Sequence, residues 1–201
     1  MDSEKLIELF LKFPGIGPRQ ARRLVYFLAG EEKSYVDNLA KLISDIKSEM
    51  KQCQSCFRYY EKKDSSNSGV DESLCRVCSS QTRDKNLIMI VEKDVDLENI
   101  ERMNVFNGKY FVLGGLLSLS DNGKSEIRLK QLYDKIQKEK PAEIILATSA
   151  TVEGENTNLY IEKILEPLKV KISRLGRGLS TGAELEYSDS ETIENALQNR
   201  K

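Results

Sequence analysis

Leu87-Ile88-Met89-Ile90-Val91-Glu92 decides the fold. An unbroken apolar run closed by a carboxylate is the mark of a strand buried on both faces, as in a parallel sheet. Downstream, Tyr110-Phe111-Val112-Leu113 and Ile144-Ile145-Leu146-Ala147 repeat the pattern, and Val170-Lys171-Ile172 repeats it more weakly. Between these runs lie helical spacings: Ile127, Leu129, Leu132, Tyr133 and Ile136, then Tyr160, Ile161, Ile164, Leu165 and Leu168. Strands alternating with helices predict βαβ units and a mainly parallel sheet. After Gly176 the chain is polar, with a short helix expected near Thr192 to Leu197.

Ligands of parallel α/β sheets gather at the carboxyl ends of the strands. The first strand ends in Glu92, with Asp94 and Asp96 close behind. The third ends in Thr148-Ser149-Ala150-Thr151-Val152-Glu153-Gly154-Glu155. Such carboxylates have the chemistry to hold Mg²⁺. The plainer reading puts Glu153 and Glu155 in the first turn of a helix, where the dipole favours them. Asp94, Asp96 and Glu98 then belong to a solvated loop. The plainer reading is preferred for direct chemistry, and Glu92 and Glu153 stay candidates for a weak ion site or a protein contact.

Upstream, Cys53-Gln54-Ser55-Cys56 and Cys75-Arg76-Val77-Cys78 form two CxxC pairs separated by 18 residues. The gap falls in the zinc-ribbon range of roughly 15 to 20. Each pair turns two thiolates toward one centre, and two pairs complete a tetrahedral site with no open position, so the ion is structural. Reduced thiols, a redox pair and an iron–sulfur cluster are the weaker alternatives. The intervening stretch, Lys62 to Gly69, is a polar loop.

The first 50 residues look helical. Leu6, Ile7, Leu9, Phe10 and Phe13 recur at helical spacing before Pro14-Gly15-Ile16-Gly17-Pro18 breaks the chain. Ala21, Leu24, Val25 and Leu28 mark a second helix, with Gly30 expected as its C-cap. Val36, Leu39, Leu42, Ile43 and Ile46 mark a third, over about residues 35 to 50. In the first break, Gly15 and Gly17 free the backbone, and exposed N–H groups at a helix start suit a phosphate. Arg19, Arg22 and Arg23 follow at once, placed for contacts that hold a nucleic-acid backbone without reading its sequence. This string resembles a helix-hairpin-helix DNA-binding motif.

Composition sets the limits. The chain has 201 residues, 31 basic and 32 acidic, so any nucleic-acid contact comes from a local patch. There is no histidine, which excludes imidazole triads and removes the commonest catalytic metal ligand. No apolar run nears the roughly 20 residues of a membrane span, and the N-terminus has no signal-peptide pattern, so a cytoplasmic location is expected. No GxxxxGK[ST] string occurs, so ATP hydrolysis is not expected.

The strand ending in Glu92 and the ATxxxxEGE loop resemble the Toprim domain of topoisomerases, primases and some nucleases. The topoisomerase-like form of that loop reads ATDPDREGE. Here Ser149 and Thr151 stand at both aspartate positions, which implies a scaffold without the metal chemistry. Over essentially its full length the chain resembles the RecR family of bacterial recombination mediators. The supporting strings are Pro14 to Pro18, both CxxC pairs, Val91-Glu92, Val112-Leu113-Gly114-Gly115, Ile145 to Thr148, Glu153 to Glu155, and Gly182-Ala183-Glu184-Leu185-Glu186-Tyr187. It departs from the family in a longer, serine-rich loop between the cysteine pairs, in Phe111 where a histidine is common, and in Ala150 where a proline is usual.

The resemblance implies an α/β chain in four parts. These are a helix-hairpin-helix DNA-binding module over 1–52, a four-cysteine zinc finger over 53–80, a Toprim-like sheet with flanking helices over 81–175, and a C-terminal segment over 176–201 for packing or oligomerisation. It implies a non-catalytic mediator that binds single-stranded, double-stranded or gapped DNA. With RecO, and often RecF, it promotes RecA loading, and it assembles as a dimer or a ring tetramer. In that picture Arg19 and Arg23, supported by Arg22, face DNA, and zinc is the cofactor. A Mg²⁺-dependent nuclease or primase, and a zinc adaptor that binds only proteins, are the alternatives.

Overall fold

A computed structural model of the chain describes residues 3–61, 72–117, 127–176, 178–179, 182, 184–198 and 200. The polar loop Lys62 to Gly69, and Ala183 within the Gly182 to Tyr187 string, lie outside these residues. The chain forms two compact units, residues 1–50 and 51–201.

The first unit holds α1 (Ser3–Phe10), α2 (Pro18–Gly30) and α3 (Lys33–Glu49). Helix α1 packs on α2, and Ala21 and Val25 of α2 are buried. Helices α1 and α3 bury no residue. Gly30 is the last residue of α2 and not its cap. Glu31 takes that role in an extended conformation, its N–H donating to the Leu28 carbonyl, so no left-handed residue is needed there.

A small two-stranded sheet follows, β1 (Met50–Gln52), whose first residue is the last of the first unit, and β2 (Tyr59–Glu61), then a short turn of helix, α4 (Arg76–Ser79). The second unit continues through β3 (Leu87–Val91), α5 (Asp94–Met103), β4 (Lys109–Val112), α6 (Leu129–Glu139), β5 (Glu143–Ala147), α7 (Val152–Leu165) and β6 (Lys171–Arg174). A short C-terminal helix, α8 (Ser190–Gln198), follows. Strands β3 to β6 form one sheet in the order β4-β3-β5-β6, every pair parallel. The apolar runs supply it because both faces are covered.

The period-two alternation of strand side chains sorts the core into two layers. Ile88, Ile90, Phe111, Leu113, Ile144 and Leu146 face one side, against Leu132 and Ile136 of α6 and Ile161 and Leu165 of α7. Met89, Val91, Tyr110 and Val112 face the other, against Leu97 of α5 and against Cys53, Cys56, Tyr60, Cys75 and Val77. The cysteine segment therefore forms one of the two covers of the sheet. It also shields an edge strand, since the Val112 N–H donates to the Cys56 carbonyl at 2.9 Å.

The acidic stretch after β3 is helix and not solvated loop. Helix α5 starts at Asp94; the Asp96 carboxylate accepts from the Lys93 N–H at 2.8 Å and caps the helix. Asp94 accepts from the Tyr59 N–H at 2.7 Å, tying α5 to β2. Capping and that long-range bond offset the weak apolar periodicity of this stretch.

Candidate metal centre and nucleic-acid interface

Each CxxC pair makes a knuckle with its own backbone bonds. In the first, the Phe57 N–H donates to the Cys53 carbonyl at 2.9 Å, and the Cys53 N–H to the Arg58 carbonyl at 2.9 Å. Phe57 takes the left-handed conformation that lets the chain double back, with φ 64°. In the second, Cys75 leads into α4 and its carbonyl accepts from the Ser79 N–H at 3.0 Å. The knuckles are joined by the Gln54 N–H on the Ser73 carbonyl at 3.0 Å, and by the Cys75 N–H on the Cys53 sulfur at 3.4 Å.

The four sulfurs lie within 4.8 Å of one another, with Cys56 and Cys75 at 3.6 Å, and none is in a disulfide. Bonds of about 2.3 Å to a central tetrahedral ion place sulfurs about 3.8 Å apart, so the quartet fits one metal ion. Four thiolates this close do not coexist without a cation among them.

Two lysines anchor this cluster. Lys109, at the start of β4, is 7% exposed, and its ammonium donates to the carbonyls of Val77, Cys78 and Ser80 at 2.8, 3.0 and 2.9 Å. Burial pushes it below the usual lysine range, while the charge of Cys78 works against that. Lys135 of α6 donates to the Ser55 hydroxyl at 2.8 Å and to Glu139 at 2.7 Å.

At the carboxyl end of the sheet, Glu92 is 5% exposed. It accepts from the Ser149 hydroxyl at 2.7 Å and pairs with Lys93 at 2.6 Å. Burial pushes its pKa up, but the bonds from Lys93 and Ser149 outweigh burial and hold the carboxyl below its ordinary range. Thr151 caps α7 by accepting from the Gly154 N–H at 3.1 Å. Glu153 is exposed in the first turn, and Glu155 pairs with Arg174 at 2.7 Å. Among the described residues, no acidic trio gathers closely enough around Glu92 to hold an ion.

In the first unit, Gly15 takes φ 76°, the left-handed turn that its lack of a Cβ permits. Gly17 is extended and forms the N-cap of α2, with no side-chain bond to the first-turn N–H groups. Arg19, Arg22 and Arg23 are all exposed on that helix.

Comparisons with known proteins agree with this anatomy. The RecR helix-hairpin-helix model matches residues 3–47, the Toprim domain model residues 86–176, and the RecR C-terminal model residues 178–201. Recombination protein RecR of Chloroherpeton thalassium is 39% identical over 202 residues, covering 98% of this chain and 95% of that protein. The chain belongs to the RecR family. Recombination protein RecR of Natranaerobius thermophilus and that of Lactobacillus acidophilus are each 36% identical, over 98% and 97% of this chain and 94% of their own.

The cysteine quartet falls between the first two matched segments, so the case for a metal rests on the four sulfurs themselves. Sequence patterns did not single out Lys109 or Lys135. A lysine opening a buried strand was the available signal for Lys109, because a buried ammonium demands acceptors. Nor did they single out the Arg83–Glu101–Tyr110 cluster, in which Glu101 accepts from Arg83 at 2.8 Å and from Tyr110 at 2.7 Å. Among the described residues no helix is long and apolar enough to cross a membrane.

Proposed function

We propose that this chain is a recombination mediator in DNA repair, acting in the cytoplasm by binding and assembly, without catalysis. The observation that carries the reading is the exposed Arg19, Arg22 and Arg23 on the uncapped start of α2, behind a hairpin turn at Gly15 and Gly17. Free helix-start N–H groups and guanidinium groups together form a phosphate-binding edge. The reading takes its setting from the family: gapped or single-stranded DNA, RecO and RecF as proposed partners, RecA loading as the proposed outcome, and a dimer or ring tetramer as the proposed working form. A near-neutral chain suits a ring, because repeated small basic patches sum their phosphate contacts.

The metal is assigned as zinc, held by Cys53, Cys56, Cys75 and Cys78 in a closed, structural site. At the sheet end, Ser149 and Lys93 satisfy Glu92, which weighs against the nuclease and primase readings. Glu153, exposed at the same end, is assigned to partner contact, with Glu92 fixing the loop behind it.

The test is DNA affinity as a function of salt for the wild type and an Arg19→Ala/Arg23→Ala double variant. Each phosphate contact contributes about 0.9 to the logarithmic salt slope on duplex DNA, so losing two makes it shallower by about 1.8. Unchanged affinity and slope in a folded variant would overturn the hairpin assignment and favour the adaptor that binds only proteins.

A further inference from the structure

The second cysteine knuckle is held by a side chain from the sheet. Helix α4 has four residues, and a helix this short leaves its carbonyls unpaired. Lys109 covers three carbonyls at its end: those of Val77, Cys78 and Ser80. An ammonium has three N–H donors, and all three are used. The lysine is buried, so these are charge-assisted bonds shielded from water. Cys78 is the one cysteine of the four that is not fully buried, so the knuckle that bears it depends most on an outside anchor. The charge matters as well, because four thiolates around a divalent ion leave a net charge of −2, and a buried cation beside them offsets part of it.

We propose that Lys109 is a positioning residue of the metal centre: it locks Cys78 toward the ion and ties metal occupancy to β4 of the sheet. The inference rests on the assignment of the quartet as a metal site. It differs from a general packing role in one respect. Lys109 must stabilise the metal-loaded chain more than the metal-free chain, because the carbonyls it fixes hold a ligand sulfur in place only when an ion is bound.

The full-length chain is compared as wild type, Lys109→Met, which keeps the length of the side chain without charge or donors, and Lys109→Arg, which restores both. Lys85→Met serves as a control for removing an exposed lysine. Zinc affinity is measured by competition with a chromogenic chelator, and cobalt(II) spectra report the tetrahedral sulfur site. Outer-shell partners of metal ligands typically change affinity by about 10- to 100-fold, and a loss of that size is expected for Lys109→Met. Lys109→Arg recovers most of it, and Lys85→Met matches the wild type. Thermal melting with and without metal separates the roles, with the Lys109→Met deficit larger in the loaded chain. A variant that binds zinc as tightly as wild type, or melts lower by the same amount loaded and stripped, overturns the proposal. A wild type that binds no zinc and gives no cobalt–sulfur spectrum overturns the metal assignment instead.

Discussion

Gly154 tests the geometry of the loop at the carboxyl end of the sheet. A Cβ at Gly154 would overlap the carbonyl oxygen of Ser149 and stand 3.0 Å from its carbonyl carbon. The obstacle is backbone, so no rotamer change relieves it. Gly154→Ala must push the Ser149 peptide outward. Overpacking of this kind costs about 1–3 kcal/mol. The shift also breaks the Thr151 cap, which accepts from the Gly154 N–H, at about 1 kcal/mol. Better helix propensity returns about 1 kcal/mol at most. The net loss is about 2 kcal/mol, or a melting temperature lower by about 4–8 °C for a chain of this size. Differential scanning calorimetry on Gly154→Ala measures it, with Gly30→Ala as the control because nothing lies within 4 Å of a Cβ there. A Gly154→Ala chain as stable as wild type would refute the close approach of the two backbones.

Two further outcomes follow from the sites. Glu92→Gln should destabilise the chain by about 2 kcal/mol at pH 7, by weakening two charge-assisted bonds. The folded pKa of Glu92 lies below its unfolded value, so its contribution is present above the ordinary carboxylate range of about 4.3 and lost as pH falls through the lowered value. Urea midpoints of wild type and variant should therefore converge on acidification; a constant gap would sink the argument. Cys78→Ser should reduce bound zinc well below one per chain and lower the melting temperature by about 10 °C or more, because metal binding is coupled to folding. Metal analysis beside a melting curve decides it, and full zinc occupancy in the variant would contradict a four-sulfur site.

The fold was legible where burial alone decides structure. The runs at Leu87, Tyr110 and Ile144 are strands because both faces of a parallel sheet are covered, and the helices between them show their apolar stripe. Legibility failed at α5, where Asp94, Asp96 and Glu98 masked a helix held by capping and by the Asp94–Tyr59 bond. These are contacts between residues far apart in the chain, and local pattern does not carry them. The same limit hid Lys109, whose three acceptors lie about thirty residues upstream. The cysteines announced themselves because a tetrahedral ion demands fixed spacing. What spacing did not reveal is that their module is one cover of the sheet, sharing a core with Met89, Val91, Tyr110 and Val112.

The sheet end shows how a buried carboxylate is satisfied from within the chain. A second carboxylate beside Glu92 would repel it, and such pairs are stable only with a shared proton or a cation between them. A serine at that place removes the repulsion and supplies a donor. The Ser149 hydroxyl sits 2.7 Å from Glu92, and the Lys93 ammonium 2.6 Å away supplies the opposite charge. Glu92 is then satisfied by neighbours in the chain. Its remaining effect is to fix the Ser149 loop against β3, and with it the Thr151 cap that sets where α7 begins. The start of α7 carries exposed Val152 and Glu153, a mixed apolar and acidic surface held in place from below. On the reading proposed above, the buried carboxylate serves rigidity and the exposed start of α7 serves contact with a protein partner.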